Sequence, residues 1–333
     1  MRGSASKLHV VSLSGGKDST ATALMAIELH GREACRFVFA DTGNEHEATY
    51  AYALDYLPQA LDITVDVVKA DFSAEFATKR ANLARLAAGE SELAVYGKRK
   101  FKYHWTAQAA AEALELLRPT GIPFLDLCMV RGGFPSRKRQ YCTEQLKTVP
   151  ITEYQMDLVE QGWQVESWQG VRIDESTSRR DRFQGTGACV RSYEYLGGGM
   201  SIYRPILRWN VGDVFEAHRL AGIEPNQLYR QGMTRVGCMP CINCQKDELR
   251  QISRRFPEHV ARVESWERLV SRVCRPQSPV SFFHLGTKGH KGQDSTIARV
   301  VEWSKTSRGG RQFSLLTDLD EPTACSSAYG LCE

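Results

Sequence analysis

Runs of apolar residues alternating with helix-like stretches predict an α/β protein, a twisted parallel sheet of the Rossmann type with helices on both faces. Three observations carry that expectation. Residues 8–13 form a largely apolar run ended by serine and glycine, residues 36–40 and 63–68 repeat it after helix-length intervals, and residues 164–171 and 201–206 supply two further runs. Strands without a polar face are strands covered on both sides, the condition of a parallel sheet.

Each element follows in order. Residues 19–30 read as a helix ended by Gly31, and residues 45–57 as a second, stopped before Pro58. From 71 to 117 the pattern is helical, interrupted by the basic and aromatic stretch 97–105. The segment 172–199, rich in Arg, Ser and Gly, reads as a loop or partly mobile lid. Residues 210–221 form a helix, residues 237–244 a cysteine turn, and residues 247–273 further helices. Past Pro276 the chain is polar, basic and glycine-containing up to a cysteine-bearing tail. The expected division is an α/β nucleotide-binding domain over 1–230, a helical cysteine-bearing part over 231–275 and a basic extension over 276–333. Neither an internal repeat nor a long low-complexity tract is present.

With 333 residues, 42% hydrophobic and 25% charged, the chain can bury a large core. No segment approaches the roughly 18 apolar residues of a membrane span, and the opening Met-Arg-Gly-Ser-Ala-Ser-Lys lacks a signal peptide's apolar stretch, so a cytoplasmic protein is expected. Ten cysteines in such a setting argue for metal, cluster or redox chemistry over a disulfide framework. A net charge of +4 is too small to establish a nucleic-acid partner.

The most telling motif is Ser14-Gly15-Gly16-Lys17-Asp18-Ser19, between the first strand and the first helix. Glycines let backbone N–H groups approach oxyanions, and the helix N-terminus adds partial positive charge. Lys17 would neutralise phosphate, Ser14 and Ser19 would donate hydroxyl hydrogen bonds, and Asp18 would cap the helix or help hold Mg²⁺. It is not a Walker loop, because Val11 stands where the leading glycine belongs. The run resembles the PP-loop of the ATP pyrophosphatase superfamily, whose members split ATP between the α and β phosphates and adenylate a substrate. Asp41-Thr42-Gly43 also follows a strand and so faces the same crevice.

Cys238, Cys241 and Cys244 recur at intervals of three, a turn able to aim three thiolates at one centre. Zinc and iron–sulfur clusters both take such ligands and both need a fourth, for which Cys142 is the best placed; Cys128, Cys274, Cys325 and Cys332 are alternatives. Plain buried thiols are the remaining reading, which is the one given to Cys35 and Cys189.

Several segments resemble the phosphoadenosine phosphosulfate reductase family. They are Tyr203-Arg204-Pro205-Ile206, Leu228-Tyr229, Val236-Gly237-Cys238-Met239-Pro240-Cys241, Gly170-Val171-Arg172-Ile173-Asp174-Glu175-Ser176 with Arg179, and Asp41-Thr42-Gly43 with Glu45 and Thr49. Together they span most of residues 7–250. The resemblance implies an adenine nucleotide alpha-hydrolase-like fold and a nucleotide site that includes Gly170, Arg172 and Arg179. It also implies a [4Fe–4S] cluster, with zinc the lesser alternative. Tyr141 stands where clustered members have one upstream cysteine, and Cys244 is an extra downstream one, so one plus three still makes four. That pattern is similar to the iron–sulfur subunit of DNA phosphorothioation systems.

The resemblance points to two chemistries. The reductases' carboxy-terminal Glu-Cys-Gly-Leu-His is matched here only by Gly330-Leu331-Cys332-Glu333, with the cysteine displaced, whereas the phosphate loop is whole. The expectation is therefore an ATP- and Mg²⁺-dependent, cluster-containing enzyme that adenylates its substrate through Lys17, Asp18, Asp41 and Arg172, releases pyrophosphate and supports sulfur transfer. Reduction of adenylyl or phosphoadenylyl sulfate is the alternative, and a nucleotide-sensing subunit of a modification or defence complex a third. Basic residues interleaved with aromatics at 98–105, four more basic residues across 131–139, and Arg179, Arg180 and Arg182 make a nucleic-acid acceptor the expected partner, against the alternative of a solvated charged surface. A cysteine desulfurase or a thioredoxin-like protein is the expected donor, and an oligomer is allowed.

Overall fold

The computed structural model describes residues 6–97, 101, 103–183, 191–195, 198–275, 279–283, 295–308 and 312–313. One sheet contains β1 (Lys7–Leu13), β2 (Cys35–Ala40), β3 (Val65–Val68), β4 (Gln164–Trp168), β5 (Arg191–Tyr195) and β6 (Gly198–Tyr203), in the order β3-β2-β1-β4-β6-β5. All neighbours run parallel except the edge pair β5 and β6. A small hairpin, β7 (Thr306–Arg308) with β8 (Gln312–Phe313), stands apart.

The helices are α1 (Lys17–His30), α2 (Glu47–Tyr50), α3 (Leu57–Leu61), α4 (Ser73–Ala87), α5 (Glu92–Tyr96), α6 (Ala107–Leu116), α7 (Pro123–Arg131), α8 (Tyr141–Thr143), α9 (Val149–Glu160), α10 (Thr177–Phe183), α11 (Val211–Leu220), α12 (Lys246–Arg255), α13 (Pro257–Val273) and α14 (Ile297–Ser304). Strand pleating divides the core between the sheet's two faces. Val11, Leu13, Phe37 and Trp168 pack with Ala23 and Ala26 of α1, while Val10, Val38 and Val165 pack with Val159 of α9. A third and larger cluster joins α4, α6, α7, α13 and α14 to the cysteine turn.

Sheet order reverses beside β1, whose neighbours are β2 and β4. The loops after β1 and β4 meet there, Gly170 and Arg172 lying against Asp18 in the crevice where doubly wound sheets take ligands. That places residues 14–19, 41–45 and 169–172 at one edge.

Three sequence expectations are corrected. Residues 172–199 are not one loop, because the described part contains a 3₁₀ turn at Ile173–Glu175, α10 and the antiparallel edge strand β5. That strand is the sheet's edge and pairs antiparallel with β6. Pro58 does not end a helix: the chain passes through a π-helical turn at Ala51–Tyr56 and continues as α3. A second π turn, Glu144–Thr148, likewise precedes Pro150 in α9. The wider turn makes room for a ring that lacks an N–H and would clash with the carbonyl four residues back. Finally, α7 and α14 are helices that the sequence pattern does not predict.

One buried carboxylate links α13 to the described part of the C-terminal segment. Glu267 of α13 accepts the backbone N–H groups of Phe282 at 2.8 Å and Ile297 at 3.0 Å. Burial outweighs these bonds and pushes its pKa up to about 7.

Candidate functional site

β1 ends at Leu13, and the next six residues turn the chain into α1. Gly15 adopts φ +71°, and a Cβ there would stand 2.7 Å from Thr49 Cγ2, so only glycine fits. Ser14 and Ser19 meet hydroxyl to hydroxyl at 3.1 Å, while Ser14 N–H donates to Ser19 Oγ at 3.1 Å. Asp18 does not cap α1, because the N-cap is Gly16. Its carboxylate, in the first turn, accepts Arg172 Nε at 2.5 Å and lies 3.4 Å from Lys17 Nζ.

Lys17 and Arg172 are buried, at 6% and 3% exposure, which concentrates positive charge where α1 points its N-terminus. Burial lowers the Lys17 pKa against the pull of Asp18. Arg172 arrives from the loop after β4, which approaches α1 so closely that a Cβ on Gly170 would sit 2.8 Å from the Asp18 carbonyl oxygen. Arg179 reaches back to Glu175 on its own segment.

Asp41 follows β2. Its carboxylate accepts Gly43 N–H at 2.8 Å and Tyr50 O–H at 2.6 Å, and pairs with Lys69 at 2.6 Å. Burial opposes ionisation, yet these partners together hold its carboxyl below the usual range. Thr42 donates its hydroxyl to Glu45 at 2.8 Å and lies 3.4 Å from Cys238 Sγ.

Glu45, nearly inaccessible at 2%, is where the two halves of the site meet. Cys238 Sγ is 3.4 Å from Glu45 Oε1, and Lys147 Nζ is 3.8 Å from the same oxygen. A cavity of about 110 Å³ opens between them, lined by Ser14, Phe39, Glu45, Lys147 and Ile151.

The four predicted thiols assemble from two distant segments. Cys142 lies on α8, and Cys238, Cys241 and Cys244 on the turn before α12. Burial raises the pKa of Cys142, Cys238 and Cys244; Cys241 adds to it for Cys142, while for Cys238 and Cys244 the carboxylates of Glu45 and Glu248 come ahead of Cys241. Asn243 N–H donates to Cys241 Sγ at 3.4 Å. Lys147 faces Cys238, Cys241 and Cys142 and opposes their mutual repulsion. Among the described residues no three cysteines hold their sulfurs within 4.8 Å of one another. Cys128 is fully buried behind Cys142, and Cys274 Sγ donates to Ser271 O at 3.1 Å elsewhere. Cys35 is buried in β2, its thiol pushed up to about 11. Cys189, Cys325, Cys332, Lys98, Arg99, Lys100 and Lys102 lie outside the described residues.

Sequence reasoning missed the struts that hold the two halves together. Tyr229 Oη accepts Lys17 N–H at 3.0 Å, and the Lys17 ammonium stands 5.1 Å from the centre of that ring. Asn226 Nδ2 donates to Gly15 O at 3.1 Å, and His218 Nε2 to Lys17 O at 3.0 Å. On the other side Asn44 Nδ2 donates to Pro240 O, and Asn44 Oδ1 accepts from Arg262, which also donates to Met239 O at 2.8 Å. The available signal was polar residues inside apolar neighbourhoods, which gives no partner.

A glycine phosphate turn, a buried arginine from the neighbouring strand and a switch-point crevice define a doubly wound, nucleotide-binding α/β protein. Comparison with known families makes that specific. The phosphoadenosine phosphosulfate reductase domain model matches residues 8–91 and 129–244, and the chain belongs to that nucleotide-binding, sulfur-related enzyme family. It is 40% identical over 342 residues to an Escherichia phage 186 protein described as an uncharacterized 37.8 kDa protein in the gpa 5' region, covering 98% of this chain and 97% of that one. Over 169 residues it is 27% identical to the uncharacterized nin region protein ORF290 of Escherichia phage lambda, about half of each chain. Among solved structures, phosphoadenylyl-sulfate reductase from Candida auris in a phosphate complex superposes with a TM-score of 0.38 at 15% identity, over 70% of this chain and 82% of that one. Among the described residues no helix is long and apolar enough to cross a membrane.

Proposed function

We propose that this chain adenylates a substrate with ATP, releases pyrophosphate, and supports sulfur transfer to nucleic acid through a [4Fe–4S] cluster held by Cys142, Cys238, Cys241 and Cys244. The observation that carries the reading is the complete Ser14–Ser19 turn, with buried Lys17, in direct contact through Tyr229 with the segment leading to the cysteines.

On this reading the turn's backbone and the α1 N-terminus bind the β and γ phosphates, while Lys17 offsets the charge that develops on the departing pyrophosphate. Arg172 has a forked guanidinium for the α phosphate, with Asp18 keeping it oriented. Asp18 and Asp41 are the carboxylates available to Mg²⁺, which would supply further charge neutralisation. Gly170 and Thr42 shape the walls, and Arg179 is the outer guanidinium.

Chemistry favours a cluster over a single ion at the thiols. Zinc–sulfur bonds of about 2.3 Å put tetrahedral sulfurs roughly 3.8 Å apart, tighter than any three cysteines here. A cubane cluster is larger and spreads its ligands. The Asn243 N–H to sulfur bond and the Lys147 charge both favour thiolates. Such a cluster supplies a site for binding sulfide or relaying sulfur.

Family membership supports a second reading, reduction of adenylyl or phosphoadenylyl sulfate to sulfite. An anaerobic assay decides between them by offering ATP with nucleic acid and, separately, each sulfonucleotide with thioredoxin. Pyrophosphate from ATP that depends on nucleic acid is the expected result. Sulfite without pyrophosphate would replace the adenylation reading by the reductase.

A further inference from the structure

A second constellation of ligand-type side chains lies beside the cysteine turn and has no part in the chemistry above. His46 is the N-cap of α2, Glu47 is the first residue of that helix, and His259 sits in the first turn of α13. The ligand atoms of all three lie within 4.8 Å of one another.

His259 is 1% exposed, and neither of its ring nitrogens has a hydrogen-bond partner. A buried imidazole left unsatisfied at both nitrogens is costly unless something else occupies it. Its Nε2 lies 3.4 Å from Glu47 Oε2, and His46 Nδ1 lies 3.7 Å from that same oxygen. Both separations are long for hydrogen bonds. They suit a different relation: ligands bound at 2.0–2.1 Å around a tetrahedral ion are about 3.4 Å apart.

We propose that His46, Glu47 and His259 form a binding site for a first-row divalent cation, with zinc the best match to two imidazoles and a carboxylate. His259 Nε2 and Glu47 Oε2 are ligands as they stand. His46 Nδ1 now accepts Ala48 N–H at 2.9 Å and exchanges that bond for the metal when the site loads. The remaining position faces solvent on the side of Glu47, whose side chain is 76% exposed. Glu258, 3.9 Å from His259 Nε2, adds negative charge, while the neighbouring Arg262 cation is committed to Asn44 and Met239. The ion would clamp α13 onto α2, and Arg262, one turn further along α13, would pass that constraint to the cysteine turn.

The His9, His30 and Glu166 group, equally close-set, does not qualify. His9 Nδ1 is 3.0 Å from Glu166, Lys7 pairs with the same carboxylate, and the Trp168 indole donates to Glu166 at 2.9 Å. Those donors and acceptors already satisfy one another.

Cobalt(II) titration of the whole protein tests the proposal, because thiolate sites give intense sulfur-to-metal absorption whereas imidazole and carboxylate sites give only weak visible bands. The expected result is one equivalent bound with the weak-band spectrum, displaced by zinc and accompanied by a higher melting temperature. Glu47→Gln changes an exposed side chain, and His46→Asn keeps an N-cap residue, so both variants should fold and both should bind at least about tenfold more weakly. No cobalt with this spectrum in the wild type, or unchanged affinity in both variants, overturns the site.

Discussion

The phosphate turn and the cysteine turn stand at the same edge of one sheet but are built in opposite ways. Residues 14–19 are contiguous, and their conformation follows from a strand, a left-handed glycine and a helix start. The thiols are drawn from α8 and from a segment about a hundred residues later, and are positioned by Asn44, Arg262, Glu45 and Lys147. The first site takes its shape from one short run of chain, and the second from contacts between segments far apart in sequence. Tyr229 and Asn226, on the segment that leads to the cysteines, hydrogen-bond to Lys17 and Gly15 of the phosphate loop.

Substitutions sharpen that contrast, beginning with the largest expected effect. Cys142→Ser should remove essentially all cluster iron from anaerobically purified protein, whereas Cys128→Ser should retain it; equal iron in both would break the assignment of the fourth ligand. Lys17→Ala should slow ATP-dependent pyrophosphate release by about 100-fold or more, as expected for loss of charge stabilisation in a water-poor site, and should leave the melting temperature nearly unchanged. Gly170→Ala should cost about 2–3 kcal/mol in denaturant unfolding, because the Asp18 carbonyl that its Cβ would strike is helical backbone and cannot yield.

Smaller effects test the tertiary ties. Glu267 has a folded pKa of about 7, above its ordinary 4.5, so the native state holds the proton more tightly than the unfolded chain. Its contribution is therefore complete below about pH 4.5 and is lost as pH rises through 7. Relative to Glu267→Gln, the wild type should lose roughly 2–3 kcal/mol between pH 5 and pH 8, measured by urea unfolding. Tyr229→Phe keeps the ring beside Lys17 but removes the acceptor of its N–H, and should cost about 1 kcal/mol. If nucleotide affinity and the reactivity of Cys238 to alkylation both stay at wild-type values in that variant, the two turns are not mechanically joined.

Much of this protein was readable in one dimension. Alternating apolar runs determined the α/β class, because a strand buried on both faces cannot carry a polar pattern, and the Ser14–Ser19 turn declared itself because its chemistry is local. Only the tertiary structure decided the edge strand β5, a short stretch inside a polar segment that pairs with β6, and the passage of two helices across prolines by way of π turns. It also decided the Glu45, Lys147, Tyr229 and Arg262 struts and the meeting of His46 with His259. Side chains far apart along the chain come into register only when helices dock, and that docking is set by the shape of a shared core.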